Sequence, residues 1–401
     1  MLDLLKGVRV ISFNHFLFGP MGVQALGDLG ADVIAVEPVD GAFQRRWSGG
    51  DLWHDGQSML HLAVNRNKRS IAIDLKAPEG RDLALRLIDT ADVVAENYRP
   101  GIMDRLGLGY EALKARRPGL VYAAASGYGP SGPYVERPGQ DLLAQALFGM
   151  MAITGQEANG PRPAGASVMD HHGATLFALG IMAALLRRQR TGEGCRVDVS
   201  LMQAALDLQA ESLVAWLNAA ERPARVNAPK HAGGWYFAAP YGVYATADGH
   251  LALSLSPLAD VGTAIDEPRL AGFSREDAWH RQDDITPLIA ARLLTRPTAE
   301  WLPRLESLKI WHAPVQDYAA ISEDPQVRHI GSLVTVPGTG KTGAPVTVVN
   351  HPILYDGEAA EVRLPPQPIG AQTAEILGQL GVAPGDVAAL ADKGVIRLSD
   401  S

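Results

Sequence analysis

The sequence predicts an α/β protein organised on a doubly wound, mostly parallel sheet. Three observations predict it. Residues 1–40 read as strand, helix and strand, the same alternation repeats to residue 124, and 401 residues with 47% apolar side chains supply a sizeable core. Residues 8–13 are a short apolar run of strand character, 14–20 a loop, and 21–29 carry helical periodicity that Gly30 stops. Residues 31–36 form the next strand, ended by Glu37 and Pro38. A βαβ unit of this kind implies parallel pairing with a right-handed crossover. Further strands follow at 70–74, 92–95 and 120–124. A helix over 78–89, opened by Pro78 and acidic residues as the helix dipole prefers, and a shorter one over 110–115 lie between them.

Residues 140–153 read as a helix and 155–165 as a Gly/Pro-rich loop. An apolar helix begins near Asp170, a turn occupies 191–194, a strand covers 196–200, and helix continues to about 218. From 221 to 234 the chain is polar and irregular, and it reads as a linker. The pattern then changes to a hairpin, with strands at 241–246 and 251–255 around a turn at 247–250. Helices follow to about 319, then a Gly/Pro/Thr-rich region over 332–366, a helix at 373–380 and a last short helix before Gly394.

The 36 Lys and Arg residues against 44 Asp and Glu give a net charge of −8 at pH 7. That balance excludes a disordered chain and a generally basic nucleic-acid binder. The single cysteine, Cys195, cannot form an intramolecular disulfide and reads as a small packed residue; no metal cluster is expected. Residues 1–9 lack a basic head followed by a long apolar run, and the apolar stretch 173–186 is shorter than the roughly 20 residues of a bilayer span. A soluble, cytoplasmic protein with no membrane or nucleic-acid partner is the expectation.

Several loops carry residues suited to an anionic ligand. Gly19-Pro20-Met21-Gly22 opens the first helix and reads equally as a phosphate-binding turn or as a plain helix start. Glu37 stands where dehydrogenases place the acid that holds a ribose. Asn65-Arg66-Asn67-Lys68-Arg69 and Lys76 put four cations within twelve residues; a solvated loop is the ordinary reading of such a run, phosphate clamping the functional one. Arg99 and Arg105 flank Pro100 and Gly101 after a further parallel strand. Asp170, ahead of His171, His172 and an apolar helix, has the position of an N-cap. Adjacent histidines on a helix do not face one another, so His171 and His172 are no metal motif.

Taken together, these segments resemble the family III CoA-transferases (CaiB/BaiF type, formyl-CoA transferase-like). The resemblance is carried by residues 8–37, by 65–76 with Pro78-Glu79-Gly80, and by 96–107, which reads Glu-Asn-Tyr-Arg-Pro-Gly-Ile-Met-Asp-Arg-Leu-Gly. Residues 126–134, 137–141 and 170–201, with the Arg190-Thr191-Gly192-Glu193-Gly194 turn, complete it, and 365–394 look like the family's ending. It implies a Rossmann-like large domain built from both chain ends around a smaller inserted α+β domain, in an interlocked homodimer. The expected boundaries are 1–220 and 332–401 for the large domain, 221–234 for a linker and 235–331 for the small domain.

The resemblance also implies chemistry. Asp170 matches the family's nucleophile, whose carboxylate attacks an acyl-CoA and forms an aspartyl-CoA thioester that an acceptor acid discharges. The helix N-terminus is expected to keep Asp170 ionised. CoA contacts carry over to Leu17, Phe18, Ile73, Asp74, Leu75, Lys76, Asn97, Tyr98, Arg99, Arg105, Arg137 and Gln140. Pro38 stands where some relatives have Arg, which moves a phosphate contact to Arg45 or Arg46. Acyl contacts are expected from His15, Phe16, Gln140 and His171, with His54 and His172 close by, which suggests a small C4–C5 diacid and admits intramolecular transfer. Gly233-Gly234 looks like a shortened form of a glycine loop that closes over the intermediate. The related racemases use a Gly-His-Asp motif, and this chain has Gly139-Gln140-Asp141; Gln is no general base, which disfavours that alternative.

Overall fold

The structure is a computed structural model that describes residues 3–155, 159–224 and 226–399; residues 156–158 of the expected loop and residue 225 of the expected linker lie outside it. Six parallel strands form the centre: β1 (Arg9–Phe13), β2 (Asp32–Glu37), β3 (Lys68–Ile73), β4 (Val93–Glu96), β5 (Val121–Ser126) and β6 (Arg196–Ser200). Their spatial order is β3–β2–β1–β4–β5–β6, and the C-terminal strand Ile396–Arg397 adds antiparallel to β3. The chain winds outward from β1 to β3, returns to the middle, and winds the other way to β6. The order therefore reverses between β1 and β4, and ligands of open α/β sheets bind at the carboxyl ends of the strands flanking such a reversal.

The strands are apolar on both faces, as a parallel sheet covered on both sides requires. Val10, Ile11, Phe13, Ile34, Ile71, Ile73, Val93 and Val94 are all buried. Helix α1 (Phe18–Asp28) starts three residues earlier than expected. Pro20 falls in its first turn, where a missing N–H breaks no helical bond.

Two further helices matter to the site, α2 (Asp141–Leu147) and α3 (Val168–Thr191). The helix expected over 140–153 is interrupted: Gly149 takes φ 91° and a new turn begins at Met150. The helix expected after β6 is likewise two, Leu201–Leu208 and Ala210–Asn218. With 24 residues, α3 is long and apolar enough to cross a membrane by length and composition. It reads here as a core helix: Ala174, Phe177, Ala178 and Ile181 are buried, and Phe177 meets the Phe18 ring edge-on at 6.0 Å.

The chain forms two compact units. The first, residues 1–141, 168–204 and 325–401, contains the main sheet and the returning C-terminus. The second, residues 142–167 and 205–324, holds β7 (Gly242–Ala245), β8 (His250–Leu253) and β9 (His312–Pro314) in the antiparallel order β9–β8–β7. Tyr244, Leu251, Ile285, Ile289 and Trp301 form its core. Segments 142–167 and 205–220 thus group with the second unit, away from the boundary expected at 220. Side-chain bonds within that unit explain the grouping: the Gln209 amide donates to the Phe148 carbonyl at 3.0 Å, and Gln145 accepts the Ala164 N–H at 2.9 Å.

Candidate active site

The reversal point of the sheet is occupied by two loops locked together. Asn97, following β4, accepts the His15 N–H at 2.9 Å and donates to the His15 carbonyl at 2.8 Å. The loop after β1 is thereby held at both backbone groups of one residue. Its next residue, Phe16, has φ 61°, a left-handed conformation uncommon for a bulky side chain. That turn directs Phe16 outward, where it stacks on Phe43 at 4.3 Å, and Phe43 stacks on Trp47 at 6.2 Å. The His15 ring packs 5.4 Å from Tyr98, its Nδ1 is buried without a partner, and burial lowers its pKa, so it is neutral near pH 7.

The start of α3 is built by a second loop. After β5 the chain makes an excursion and closes on itself where Gly127 and Gly139 meet backbone to backbone. A Cβ on Gly139 would lie 2.4 Å from the Gly127 Cα, so neither position accepts a side chain. The closure returns Asp141 to the carboxyl edge of the sheet. There one buried Asp141 oxygen accepts the N–H groups of Met169 at 2.7 Å and Asp170 at 3.1 Å. A residue 28 positions upstream thus supplies the cap of α3.

Asp170 is therefore not the N-cap the sequence suggested but lies within the first turn. Its carboxylate accepts no hydrogen bond and pairs with no cation among the described residues. Burial, and secondly the charge of Asp141, raise its pKa to about 7. The expectation that the helix terminus keeps it ionised holds only in part: with a pKa of about 7 the carboxyl is partly protonated at neutral pH, because desolvation opposes the charge and Asp141 occupies the first N–H groups. One turn further on, Gly173 lies against the Phe18 ring, where a Cβ would come within 2.9 Å. This contact brings the start of α1 next to the turn that carries Asp170.

The basic residues divide into two sets. Those of the 65–69 run are structural and fit neither expectation: Arg66 and Lys68 are buried rather than solvated, and their donors are taken up by protein acceptors instead of being free for phosphate. Arg66 forks onto Asp28 at 3.0 and 2.7 Å, and Asp28 also meets Asn67 at 2.8 Å and His351 at 3.2 Å. Lys68 is buried and donates to the carbonyls of Pro20 and Val64 and to Asn65, at 2.7, 2.6 and 3.0 Å. Arg69 pairs with Asp32 and Glu375. Arg45 is no free phosphate ligand either: it forks onto Glu37 at 2.6 and 2.6 Å, with His61 and the Gln367 carbonyl beside it. Glu37 is thus engaged away from any ribose, and Arg46 pairs with Asp40 at the surface. A cavity of about 240 Å³ at the amino edge of β2 and β3, lined by Asp32, Arg69 and Arg363, is similarly formed from engaged cations.

The second set is exposed. Lys76, Arg99 and Arg105, which follow β3 and β4, carry no ion pair among the described residues. Arg137, in the loop after β5, lies 4.0 Å over the Tyr134 ring. Because β3, β4 and β5 are parallel, all four cations belong to the carboxyl edge. A ligand with several phosphates meets such an edge favourably.

The comparisons bear on this geometry. Residues 5–373 match the pattern of the family described as CoA-transferase family III. The chain belongs to the family III CoA-transferases. Among its relatives, a succinyl-CoA:glutarate CoA-transferase of Mus musculus is 32% identical over 405 residues, covering 98% of this chain and 90% of that protein. An acetyl-CoA:oxalate CoA-transferase of Acetobacter aceti is 33% identical over 355 residues, covering 86% and 89%. A crystal structure of a CAIB/BAIF family protein from Brucella suis superposes with a TM-score of 0.81 at 29% identity, covering 95% of this chain and 100% of that one. The protein is accordingly an enzyme that moves CoA from an acyl-CoA thioester to a carboxylic acid.

For a CoA-transferase of this family, the residues named from sequence fall into distinct environments. Leu17 and Phe18 head α1, where the N–H groups of the first turn have no side-chain cap, but the Phe18 ring is core. Ile73 is buried in β3, while Asp74 accepts the Lys76 N–H at 2.9 Å and shapes the turn that exposes Lys76, with Leu75 half-buried between them. Gln140 and His171 are exposed, and His172 is partly so. His54 is held by the Ala344 carbonyl at 3.2 Å. Gly233 and Gly234 belong to the second unit and underlie aromatic rings: a Cβ on Gly233 would lie 2.5 Å from Tyr241, and one on Gly234 3.0 Å from Phe237. Sequence reasoning missed Asp141 as the cap of α3 and Glu96 beneath the 97–99 loop. The Gly139-Gln140-Asp141 spacing was the one available signal for the first.

Proposed function

We propose that Asp170 is the nucleophile of the transfer and that the exposed cations of the carboxyl edge hold CoA. The observation that carries this reading is the Asp170 carboxylate itself, unpaired at the start of α3 and brought beside the first loop by the Phe18–Gly173 contact. The ionised carboxylate attacks the thioester carbonyl of the donor, giving a mixed anhydride and CoA thiolate. The thiolate attacks the aspartyl carbonyl, giving aspartyl-CoA and releasing the donor acid. An acceptor carboxylate displaces the thiolate from aspartyl-CoA as a second anhydride. Attack of the thiolate on the acceptor carbonyl then releases the new CoA ester and regenerates Asp170. Each step forms one acyl bond as another breaks, and the covalent intermediates divide one difficult exchange into easier ones.

Lys76, Arg99, Arg105 and Arg137 contact the phosphates, with Asn97 and Tyr98 lining the loop between them; Leu17 and the start of α1 face the same ligand. His15, Phe16, Gln140 and His171 face the acyl group. The acceptor is a small dicarboxylic acid, a reading supported by the glutarate and oxalate in the names of the two relatives. The enzyme works in the cytoplasm as an interlocked homodimer of large and small domains. Support for a second copy comes from exposed large apolar side chains, Leu179 and Leu186 on α3 and Leu142, Leu143 and Leu147 on α2. The test is isotope exchange: labelled succinate, glutarate and oxalate, and labelled acetate and butyrate beside them, are each incubated with the enzyme and a panel of acyl-CoAs. Label entering the CoA ester with a diacid supports the reading; label entering only from monocarboxylic acids contradicts the acceptor class.

A further inference from the structure

The buried carboxyl group of Glu96 takes no part in the reaction described above, yet it lies at the carboxyl end of β4, beside the reversal point of the sheet. It is 8% exposed and pairs with no cation among the described residues. One oxygen accepts the Tyr98 N–H at 2.8 Å and the other faces the Tyr122 hydroxyl of β5 at 3.3 Å. The turn that it braces is the one in which Asn97 clamps His15, Tyr98 packs on the His15 ring and Arg99 is presented to solvent. Burying a lone carboxyl group is costly, and a structural hydrogen bond to one N–H could be made by a neutral amide.

We propose that Glu96 is a positioning residue for CoA, its ionised carboxylate fixing the 97–99 turn through the Tyr98 N–H so that Asn97 and Arg99 meet the ligand. The inference rests on the reading that this turn faces CoA. A hydrogen bond to a carboxylate is about twice as strong as one to a neutral acceptor, so protonation of Glu96 loosens the turn. The groups around it set where that happens. Burial raises the Glu96 pKa to about 7; the Tyr98 N–H, the Tyr122 hydroxyl and Arg196 of β6 act downward, and Asp198 of β6 acts upward. Asp104, in the helix Ile102–Arg105, bears on the same hydroxyl, the Tyr110 ring lies 5.8 Å from the Tyr122 ring, and His15 borders Tyr98 from the β1 side. CoA affinity should therefore fall as the pH drops through neutrality.

Equilibrium binding of CoA to the full-length protein between pH 6 and 8.5 tests this, with Glu96→Gln, Tyr122→Phe and Arg99→Ala. Glu96→Gln is expected to bind about tenfold more weakly than wild type at pH 8 and equally at pH 6, with KM for acyl-CoA raised and kcat kept. Tyr122→Phe removes a donor that favours the carboxylate, so its midpoint should move to higher pH; this variant also serves if Glu96→Gln does not fold. Wild-type affinity and pH profile in both variants, alongside weakened binding by Arg99→Ala, overturn the role of Glu96 and leave the CoA loop standing. Unchanged binding by Arg99→Ala at every pH overturns the loop reading and this inference with it.

Discussion

The carboxylate of Asp141, at the start of α2, accepts the backbone N–H of Asp170 in the first turn of α3 at 3.1 Å, so the two acids meet at one helix start with different tasks. Asp141 fixes the turn; Asp170 keeps its own carboxylate unpaired. The charge of Asp141 adds to burial in raising Asp170 to about 7. Attack requires the ionised form, so kcat should rise with pH through neutrality. Asp141→Asn retains an acceptor for both N–H groups and removes the charge. Its acidic limb should move to lower pH in a kcat profile, and a limb that stays in place would show that Asp141 does not act on Asp170 electrostatically.

The raised pKa also has a stability consequence. The folded value lies above the unfolded value near 4, so the folded state binds more protons between the two, and stability falls as pH rises from about 4 to 7. Asp170→Asn removes that penalty. Denaturant unfolding should show the variant more stable than wild type by roughly 1–3 kcal/mol at pH 8, with the gain shrinking toward pH 4. An inactive variant of unchanged stability at pH 8 would contradict the buried, unpaired state of Asp170.

The two sets of cations separate binding from folding. Lys76→Ala, Arg99→Ala and Arg105→Ala should each raise KM for acyl-CoA about 3- to 10-fold, more at low salt, with unfolding midpoints unchanged. Lys68→Met should do the reverse, leaving Pro20, Val64 and Asn65 unsatisfied and costing about 2–4 kcal/mol of stability with little effect on KM in the folded fraction. Steady-state kinetics beside urea unfolding on the same samples checks both.

The C-terminal return depends on Asp28, which ties Arg66 and Asn67 of the first half to His351. Asp28→Asn leaves the buried Arg66 charge uncompensated and should cost about 3–5 kcal/mol. Arg66, Asn67 and Arg45 also bond the carbonyls of Val349, Glu361 and Gln367, so limited proteolysis of the variant should release the 349–367 region first. Equal protease resistance would show that the latch lies elsewhere.

Most of the sheet was legible in the sequence because parallel strands buried on both faces are continuous apolar runs: all six parallel strands fall within two residues of their expected starts, and the β7–β8 hairpin was evident from its turn. Helix interruptions were less legible. Gly149 breaks a periodic run through its backbone conformation, and nothing in the spacing of apolar residues marks that. The basic run at 65–69 shows the other limit. A count of charges cannot distinguish Lys68, enclosed by three acceptors, from Lys76, exposed eight residues later, because the difference lies in which strand end each occupies. Asp141 was hidden for the same reason: its role is a contact across 28 residues made by a loop closure between two glycines.

Covalent chemistry at Asp170 is tested most directly by mass spectrometry of the enzyme mixed with acyl-CoA and trapped with hydroxylamine or borohydride. The expected result is a modification confined to the peptide that carries Asp170, absent in Asp170→Asn, whose transfer rate should fall by at least about 10³-fold. Turnover of acyl-CoA with Asp170 unmodified throughout, or an Asp170→Asn variant that transfers CoA at the wild-type rate, would contradict the account.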